Sequence, residues 1–136
     1  MSEVFQIFPI GIVKKQNEKV WIELFEAFLD GLLGLEGFSH IYVLYWFHEN
    51  DTPEKRKTLQ VHPRGDKNNP LTGVFGTHSP LRPNLIALTL CKIVSISGNR
   101  IEIEDIDARD GSPVIDIKCY IPDDTGDPAY RVPEWV

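Results

Sequence analysis

The stretch ALTLCKIVSISGNRIEIED, residues 87–105, decides the fold class. Residues 87–97 are rich in β-branched side chains, and residues 101–104 alternate strictly between isoleucine and glutamate. Gly98-Asn99 between them is a two-residue hairpin signal. A strictly alternating strand puts one face in a core and the other in water. The stretch therefore predicts an antiparallel hairpin.

The rest of the chain reads mainly as short strands. We predict strands over residues 4–13, 20–25, 39–48 and 114–121, with the aromatic run at 39–48 as a buried central strand. A short helix is predicted over 26–33, and the density of proline and glycine in 63–86 predicts a long loop. This pattern favours an all-β, mainly antiparallel sandwich or barrel in one domain over residues 1–136. Because strands and helices do not alternate, a Rossmann-type sheet is disfavoured.

The tail, residues 122–136, contains three prolines and is predicted to wrap over the surface. Tyr130 and Trp135 are expected to anchor it by burying their rings.

Composition excludes several classes. The chain has 136 residues, a formal charge of −6 and 42% hydrophobic residues, so it is not a disordered acidic tail. No run of 18 apolar residues predicts a membrane helix, and the N-terminus does not resemble a signal peptide. Cys91 and Cys119 do not form a disulfide framework, which predicts reduced thiols and a cytoplasmic protein.

The charge is unevenly distributed along the sequence. Residues 55–92 carry +6 and the other residues carry −12. The total charge argues against a general nucleic-acid coat, whereas the basic segment is compatible with a local anion-binding face. An exposed loop with solvated charges is the alternative interpretation.

Two loops carry the candidate chemistry. Arg82 lies between Pro80 and Pro83, and a pre-ordered guanidinium suits a carboxylate or phosphate, although Arg82 and Asn84 could equally satisfy loop carbonyls. Arg64 and Asp66 share a tight turn and are expected to form an ion pair.

The second loop holds an aspartate cluster, Asp105, Asp107 and Asp110. Close carboxylates can act as acid or base, or they can cap turns. We expect a structural role for Asp110 and a more open one for Asp107. The four histidines have no metal-motif spacing, so no metal site is predicted.

Several phrases resemble one known family. They are PIGIVK at 9–14, GLEGFSHI at 34–41, WFH at 46–48, GVFGTHSPLRPNLIA at 73–87, DARDGSPVIDIK at 107–118 and YIP at 120–122. In this order they resemble the TsaA/TrmO family. Its members are S-adenosylmethionine-dependent tRNA methyltransferases that methylate a nitrogen of threonylcarbamoyl-adenosine beside the anticodon.

The resemblance implies a fold, a cofactor and partners. It implies a single compact β-barrel with short helical and loop insertions, a cytoplasmic homodimer, S-adenosylmethionine as cofactor and the anticodon loop of tRNA as substrate, without DNA or membrane partners. The implied cofactor shell is His48, Glu49, His78, Leu88, Asp105, Ile106 and Asp107, with Asp107 also the catalytic candidate. Arg64, Arg82 and Asn84 would contact substrate, and the aromatic residues 45–47 would bound an adenine.

The sequence also departs from the family pattern. His78 stands where the family usually has arginine, Leu85 and Ala87 replace proline and glycine, and residues 15–19 lack a Pro-Arg-Gln segment. Two alternatives therefore stay open. One is a methyltransferase with another substrate, and the other is a cofactor-binding module without transferase activity.

Overall fold

The hairpin predicted from residues 87–105 is present in the computed structural model, which describes residues 3–136. Strand β6 spans Ile86–Ser97 and strand β7 spans Arg100–Ile103, and they pair antiparallel. Gly98 in the turn has φ of 59°, a conformation that glycine adopts without strain. The register shifts between Ile93 and Ser95, which is a β-bulge.

The hairpin belongs to a closed six-stranded barrel. Its other strands are β1 (Gly11–Gln16), β2 (Lys19–Leu24), β3 (His40–Trp46) and β8 (Pro113–Cys119). The order around the barrel is β1-β2-β7-β6-β3-β8, and the pairing of β1 with β8 closes it. The prediction of an all-β, mainly antiparallel barrel is confirmed, and the sandwich is excluded.

Inward-facing residues of the strands fill the barrel. Val13, Ile22, Val43 and Ile101 each expose none of their surface. Strand β3 alternates between buried and half-buried side chains. The expectation of a continuously buried central strand is therefore wrong, since only one face of β3 lies in the core.

The barrel begins later than the sequence predicts. Residues 4–9 are not part of a strand, and Ile10 makes the first backbone hydrogen bond, to the carbonyl of Val114 at 2.8 Å. Pro9 has no N–H with which to extend the pairing. A Cβ on Gly11 would lie 2.5 Å from the Glu23 carbonyl oxygen, so the close approach of β1 and β2 at this position requires glycine.

The short helix expected over 26–33 is present as a 3-10 helix. The segment predicted as helix 26–33 is a 3-10 helix over Glu26–Leu32, followed by a 3-10 turn at Leu35–Gly37.

The tail 122–136 contains no helix or strand, and the ring of Tyr130 lies 4.8 Å from that of His40. Trp135 touches Phe38 edge-on but stays 78% exposed, so the prediction that its ring is buried is wrong.

The described chain forms two compact units. One comprises residues 1–45 and 88–136 and holds nearly all of the barrel; the other comprises residues 46–87. The second unit contains helix α1 (Pro53–Arg56), strands β4 (Gln60–Val61) and β5 (Thr72–Gly73), and 3-10 turns at His48–Asn50, Pro63–Gly65 and Val74–Gly76. It carries a net charge of +2, whereas the first unit carries −8. The single domain stays a prediction.

Within residues 3–136, no helix has the length and apolar character that crossing a bilayer requires.

Candidate functional site

The loop that follows β7 presents an unpartnered carboxylate. Asp107 is exposed, and no hydrogen bond or ion pair among residues 3–136 engages its carboxylate oxygens. Its neighbours Ile106 and Ala108 are only 2% and 5% exposed, so their side chains fix the loop in the core. The carboxylate is thus held outward on a well-anchored backbone.

Lys15 secures this loop from strand β1. Its Nζ donates to the carbonyl of Ile106 at 2.8 Å, and its backbone N–H donates to Oδ1 of Asp110 at 2.8 Å. The structural role expected for Asp110 is confirmed by the second bond. Asp105 accepts the backbone N–H of Ile106 at 2.8 Å, which turns the chain immediately before Asp107.

Tyr45 secures the loop from inside the barrel. Its hydroxyl donates to the carbonyl of Asp107 at 3.0 Å and lies 3.1 Å from Oγ1 of Thr89. Since a phenol has one proton, the Thr89 hydroxyl donates to the Tyr45 oxygen. Burial raises the pKa of Tyr45 and the Asp107 carboxylate raises it further, so the phenol stays protonated and keeps donating.

The aromatic residues 45–47 do not form one adenine-binding wall. Tyr45 is 4% exposed and faces the barrel interior, so its ring is inaccessible to a ligand outside. In the other unit, Nε1 of Trp46 donates to Asp51 at 3.0 Å, and the Arg56 guanidinium lies 5.6 Å from the Trp46 ring centre. The prediction is therefore wrong for Tyr45, because strand alternation turns its ring inward.

The cofactor residues expected from the resemblance fall in both units. Leu88, Asp105, Ile106 and Asp107 belong to the barrel unit, and His48, Glu49 and His78 belong to the unit 46–87. Leu88 is 56% exposed on β6, and the side chain of Ile106 lies in the core, which leaves only its backbone for a ligand. His48, Glu49 and His78 are all exposed, the first two on the 3-10 turn after β3.

The substrate candidates lie in the unit 46–87. Nη1 of Arg82 donates to the carbonyls of Thr77 and Ser79 at 3.2 and 3.1 Å. The arginine therefore stabilises its own loop, in agreement with the interpretation that it satisfies loop carbonyls. Asn84 is exposed, and its carbonyl accepts the N–H of Ile86 at 2.8 Å.

Arg64 and Asp66 do not form the expected ion pair. Oδ1 of Asp66 accepts the N–H of Asn68 at 2.9 Å, and Arg64 has φ of 61°, which turns its backbone out of the helical conformation. The ion-pair prediction is wrong because a local turn satisfies the carboxylate. Arg64 is left exposed.

Lys15 is the site residue that sequence reasoning missed. Its ammonium group bonds to a carbonyl 91 residues further along the chain. No local pattern marks it, since it lies in an ordinary run of polar residues at the end of β1.

Cys91 is the buried cysteine of the barrel unit. Burial raises the pKa of Cys91 to about 12, which keeps this thiol protonated and unreactive. Among residues 3–136, no group of three or more His, Cys, Asp or Glu side chains could hold a metal ion.

The protein is a closed antiparallel barrel with an anchored loop that exposes the Asp107 carboxylate. Residues 5–124 match the tRNA-methyltransferase O N-terminal domain family. The chain belongs to this family, and the resemblance seen in the sequence is confirmed.

Proteins of similar sequence are found in archaea and mammals. The chain is 49% identical over 117 residues to a probable S-adenosyl-L-methionine-binding protein of Methanocaldococcus jannaschii, covering 86% of this chain and 93% of the relative. It is 46% identical over 92 residues to the tRNA (adenine(37)-N6)-methyltransferase of Mus musculus, covering 68% of this chain and 21% of that protein.

Solved structures share the fold. TrmO from Pseudomonas aeruginosa superposes with a TM-score of 0.69 at 26% sequence identity, covering 90% of this chain and 58% of that one. The chain therefore spans about three fifths of the TrmO chain that it matches.

Proposed function

We propose that this protein is an S-adenosylmethionine-dependent methyltransferase that methylates threonylcarbamoyl-adenosine next to the anticodon of tRNA. Membership of the tRNA-methyltransferase O N-terminal domain family supports this function, as do relatives named for S-adenosylmethionine binding and tRNA methylation. The observation that carries the proposal is the exposed Asp107 carboxylate on a backbone held by Lys15 and Tyr45.

The residues of the loop fit a cationic cofactor. A carboxylate without an internal partner favours a positive charge or an amino group placed beside it. S-adenosylmethionine has both an amino group and a sulfonium, so the unpartnered Asp107 carboxylate matches it as an acceptor, and the second carboxylate oxygen of Asp105 is proposed to assist. His48, Glu49, His78 and Leu88 are proposed to complete the shell, with the backbone of Ile106.

When bound, S-adenosylmethionine supplies a methyl group already activated on sulfonium, so the protein contributes mainly positioning and charge. Asp107 would accept the proton that an amide-like nitrogen loses on methylation. Tyr45 and Lys15 hold the two carbonyls around Asp107 and thereby limit its movement.

The proposed substrate site uses the more basic unit. The anticodon loop presents unpaired bases that a protein can reach without melting a duplex. Arg64, Arg82 and Asn84 lie in the unit that carries +2, so they are proposed to contact the RNA around the modified base. Electrostatic contacts of this kind weaken with salt.

We also propose a homodimer and a cytoplasmic location. Strand β6 displays apolar side chains outward, with Leu90 39% and Val94 52% exposed, and such a row suits a second copy. Sedimentation of wild type and of Leu90→Glu tests the dimer, which should dissociate in the variant. The location follows from the proposed tRNA substrate, and cell fractionation tests it.

Calorimetry with S-adenosylmethionine tests the cofactor assignment. We expect wild type to bind, and Asp107→Asn to bind about tenfold more weakly because a charge-assisted contact is lost. Asp123→Asn is the matched control, since Asp123 is an exposed tail carboxylate outside the loop. Equal affinity of all three proteins would contradict the role of Asp107.

Methyl transfer then separates the proposed function from its alternatives. Labelled methyl groups should reach tRNA taken from cells that lack this protein. Cofactor binding without any labelling of tRNA would favour another substrate or a module without transferase activity.

A further inference from the structure

We infer that Phe75 is a stacking surface for an unpaired RNA base, with Lys57 beside it for a phosphate. The inference rests on the proposed function, because it names how the unit 46–87 would grip its RNA. It starts from an exposed ring on a rigid turn. Phe75 exposes 81% of its surface and makes no ring contact with residues 3–136.

The residues on either side of Phe75 are fixed. Val74 is 1% exposed, and its N–H donates to the carbonyl of Leu59 at 2.9 Å. The backbone N–H and the hydroxyl of Thr77 both donate to the Val74 carbonyl, at 3.1 and 2.9 Å. The turn thus holds the ring outward, and binding would cost little ordering of the backbone.

Exposed apolar residues also lie on both segments that adjoin the turn. Leu59 and Leu71 are each 58% exposed on the two segments that flank the turn. Leu59 bonds directly to Val74, and Cγ2 of Thr72 lies 3.3 Å from where a Cβ on Gly76 would be, so both segments adjoin the turn. Isolated exposed apolar residues are ordinary, whereas an exposed aromatic ring on a fixed turn suits stacking against a flat ligand face.

Four cationic residues without internal partners lie close to Leu59 and Leu71 in the sequence. Within residues 3–136, no hydrogen bond or ion pair engages the side chains of Lys55, Lys57, Arg64 or Lys67. Lys57 is two residues from Leu59, which is at most about 7 Å of extended chain. The Leu59 carbonyl accepts the N–H of Val74, the residue before Phe75, so we assign Lys57 to a phosphate next to a base on Phe75.

The net charge of the unit 46–87 indicates which kind of ligand binds at Phe75. The unit carries +2 on a chain of −6, so this area attracts an anion in a protein that otherwise repels one. An aromatic face combined with free lysines matches a nucleotide, whose base stacks and whose phosphate is negative. A second copy of this acidic chain or an acidic peptide also offers negative charge, but only a nucleotide joins a flat base to a phosphate in every unit.

Fluorescence anisotropy with a labelled anticodon stem-loop tests the inference. Phe75→Ala should raise Kd about 5-fold to 150-fold, the usual loss for one stacked base. Phe75→Leu should lose almost as much, and Phe75→Trp should bind as wild type does. Phe5→Ala is the control, because Phe5 is also 81% exposed but lies in the acidic unit.

A salt series distinguishes the two contacts. Lys57→Gln should lower the slope of log K against log salt by about 0.7, the value for one phosphate contact to a single strand. Phe75→Ala should leave that slope unchanged. Thermal unfolding of each variant checks that the fold is intact.

Three results would overturn the inference. The first is RNA binding by Phe75→Ala within twofold of wild type. The second is wild-type affinity in Phe75→Leu, which would indicate an apolar contact without stacking. The third is a dimer that dissociates on Phe75→Ala, which would assign this area to a second copy. If wild type bound no RNA and methylated no tRNA, the proposed function would fail as well, whereas the first two results leave it standing.

Discussion

Replacing Tyr45 by phenylalanine removes the hydroxyl group that connects the barrel interior to the Asp107 loop by hydrogen bonds. The hydroxyl donates to the Asp107 carbonyl at 3.0 Å and lies 3.1 Å from Oγ1 of Thr89. Its loss leaves the carbonyl without this donor and the Thr89 hydroxyl without this acceptor, while the ring stays in place. Tyr45 is 4% exposed, so water cannot readily replace the missing hydroxyl.

The size of the effect follows from these two groups. A buried polar group left unpaired costs about 1–3 kcal/mol, and the two groups here are only partly buried, so we expect a loss of about 2 kcal/mol. For a chain of this length that corresponds to a fall in Tm of roughly 8 °C. The loop also loses one anchor, so the affinity for S-adenosylmethionine should fall with it.

Thermal unfolding and calorimetry measure both effects. Tyr42→Phe is the matched control, since Tyr42 lies on the outward face of the same strand and no hydrogen bond of its hydroxyl is present among residues 3–136. Its Tm should stay within 1–2 °C of wild type, as surface substitutions usually do. Equal unfolding temperatures of Tyr45→Phe and Tyr42→Phe would show that the Tyr45 hydroxyl does not stabilise the loop.

Three further changes give separate tests. Gly11→Ala should lower the free energy of unfolding by about 1–3 kcal/mol, because the new Cβ meets a backbone oxygen at 2.5 Å, whereas Gly31→Ala meets open space and should be nearly neutral; urea titration compares them. Burial raises the pKa of Cys91 to about 12, so its contribution to stability is complete below pH 9 and is lost as pH rises toward 12. Urea titrations at pH 8 and pH 10.5 should therefore show Cys91→Ala losing less stability with pH than wild type, by about 2 kcal/mol, and parallel loss would contradict this. Lys15→Met should raise the Kd for S-adenosylmethionine roughly 3-fold to 10-fold, since the Ile106 carbonyl loses a charged donor, while Lys19→Met serves as a control without effect in the same calorimetry.

The sequence signals that predicted the barrel correctly are local ones. The Gly98-Asn99 turn and the alternation after it determine a hairpin from a few adjacent residues, and both are present as expected. The predicted start of β1 at residue 4 is too early, since the apolar residues before Pro9 resemble a strand in sequence but are not part of one in the structure. The predicted burial of Trp135 is wrong for a related reason, because an aromatic residue in the sequence does not show whether the fold has a cavity for its ring.

The contacts that position the site are beyond local patterns. Lys15 bonds across 91 residues and Tyr45 across 62, and these pairings exist only once the barrel has closed. The inward direction of Tyr45 likewise follows from the register of β3, which the continuous run of apolar and aromatic residues conceals. Arg82 and Asp66 differ from Lys15 and Tyr45, because their partners are close in sequence. Arg82 was a candidate ligand contact and Asp66 a candidate ion-pair partner, but nearby backbone groups bind both side chains.

The most direct test of the central claim is labelled methyl transfer from S-adenosylmethionine to tRNA from cells that lack this protein. We expect wild type to label threonylcarbamoyl-adenosine beside the anticodon, Asp123→Asn to do the same, and Asp107→Asn to be strongly impaired. Absence of label in tRNA from wild type that binds the cofactor would contradict the proposed function. Full labelling by Asp107→Asn would contradict the assigned site.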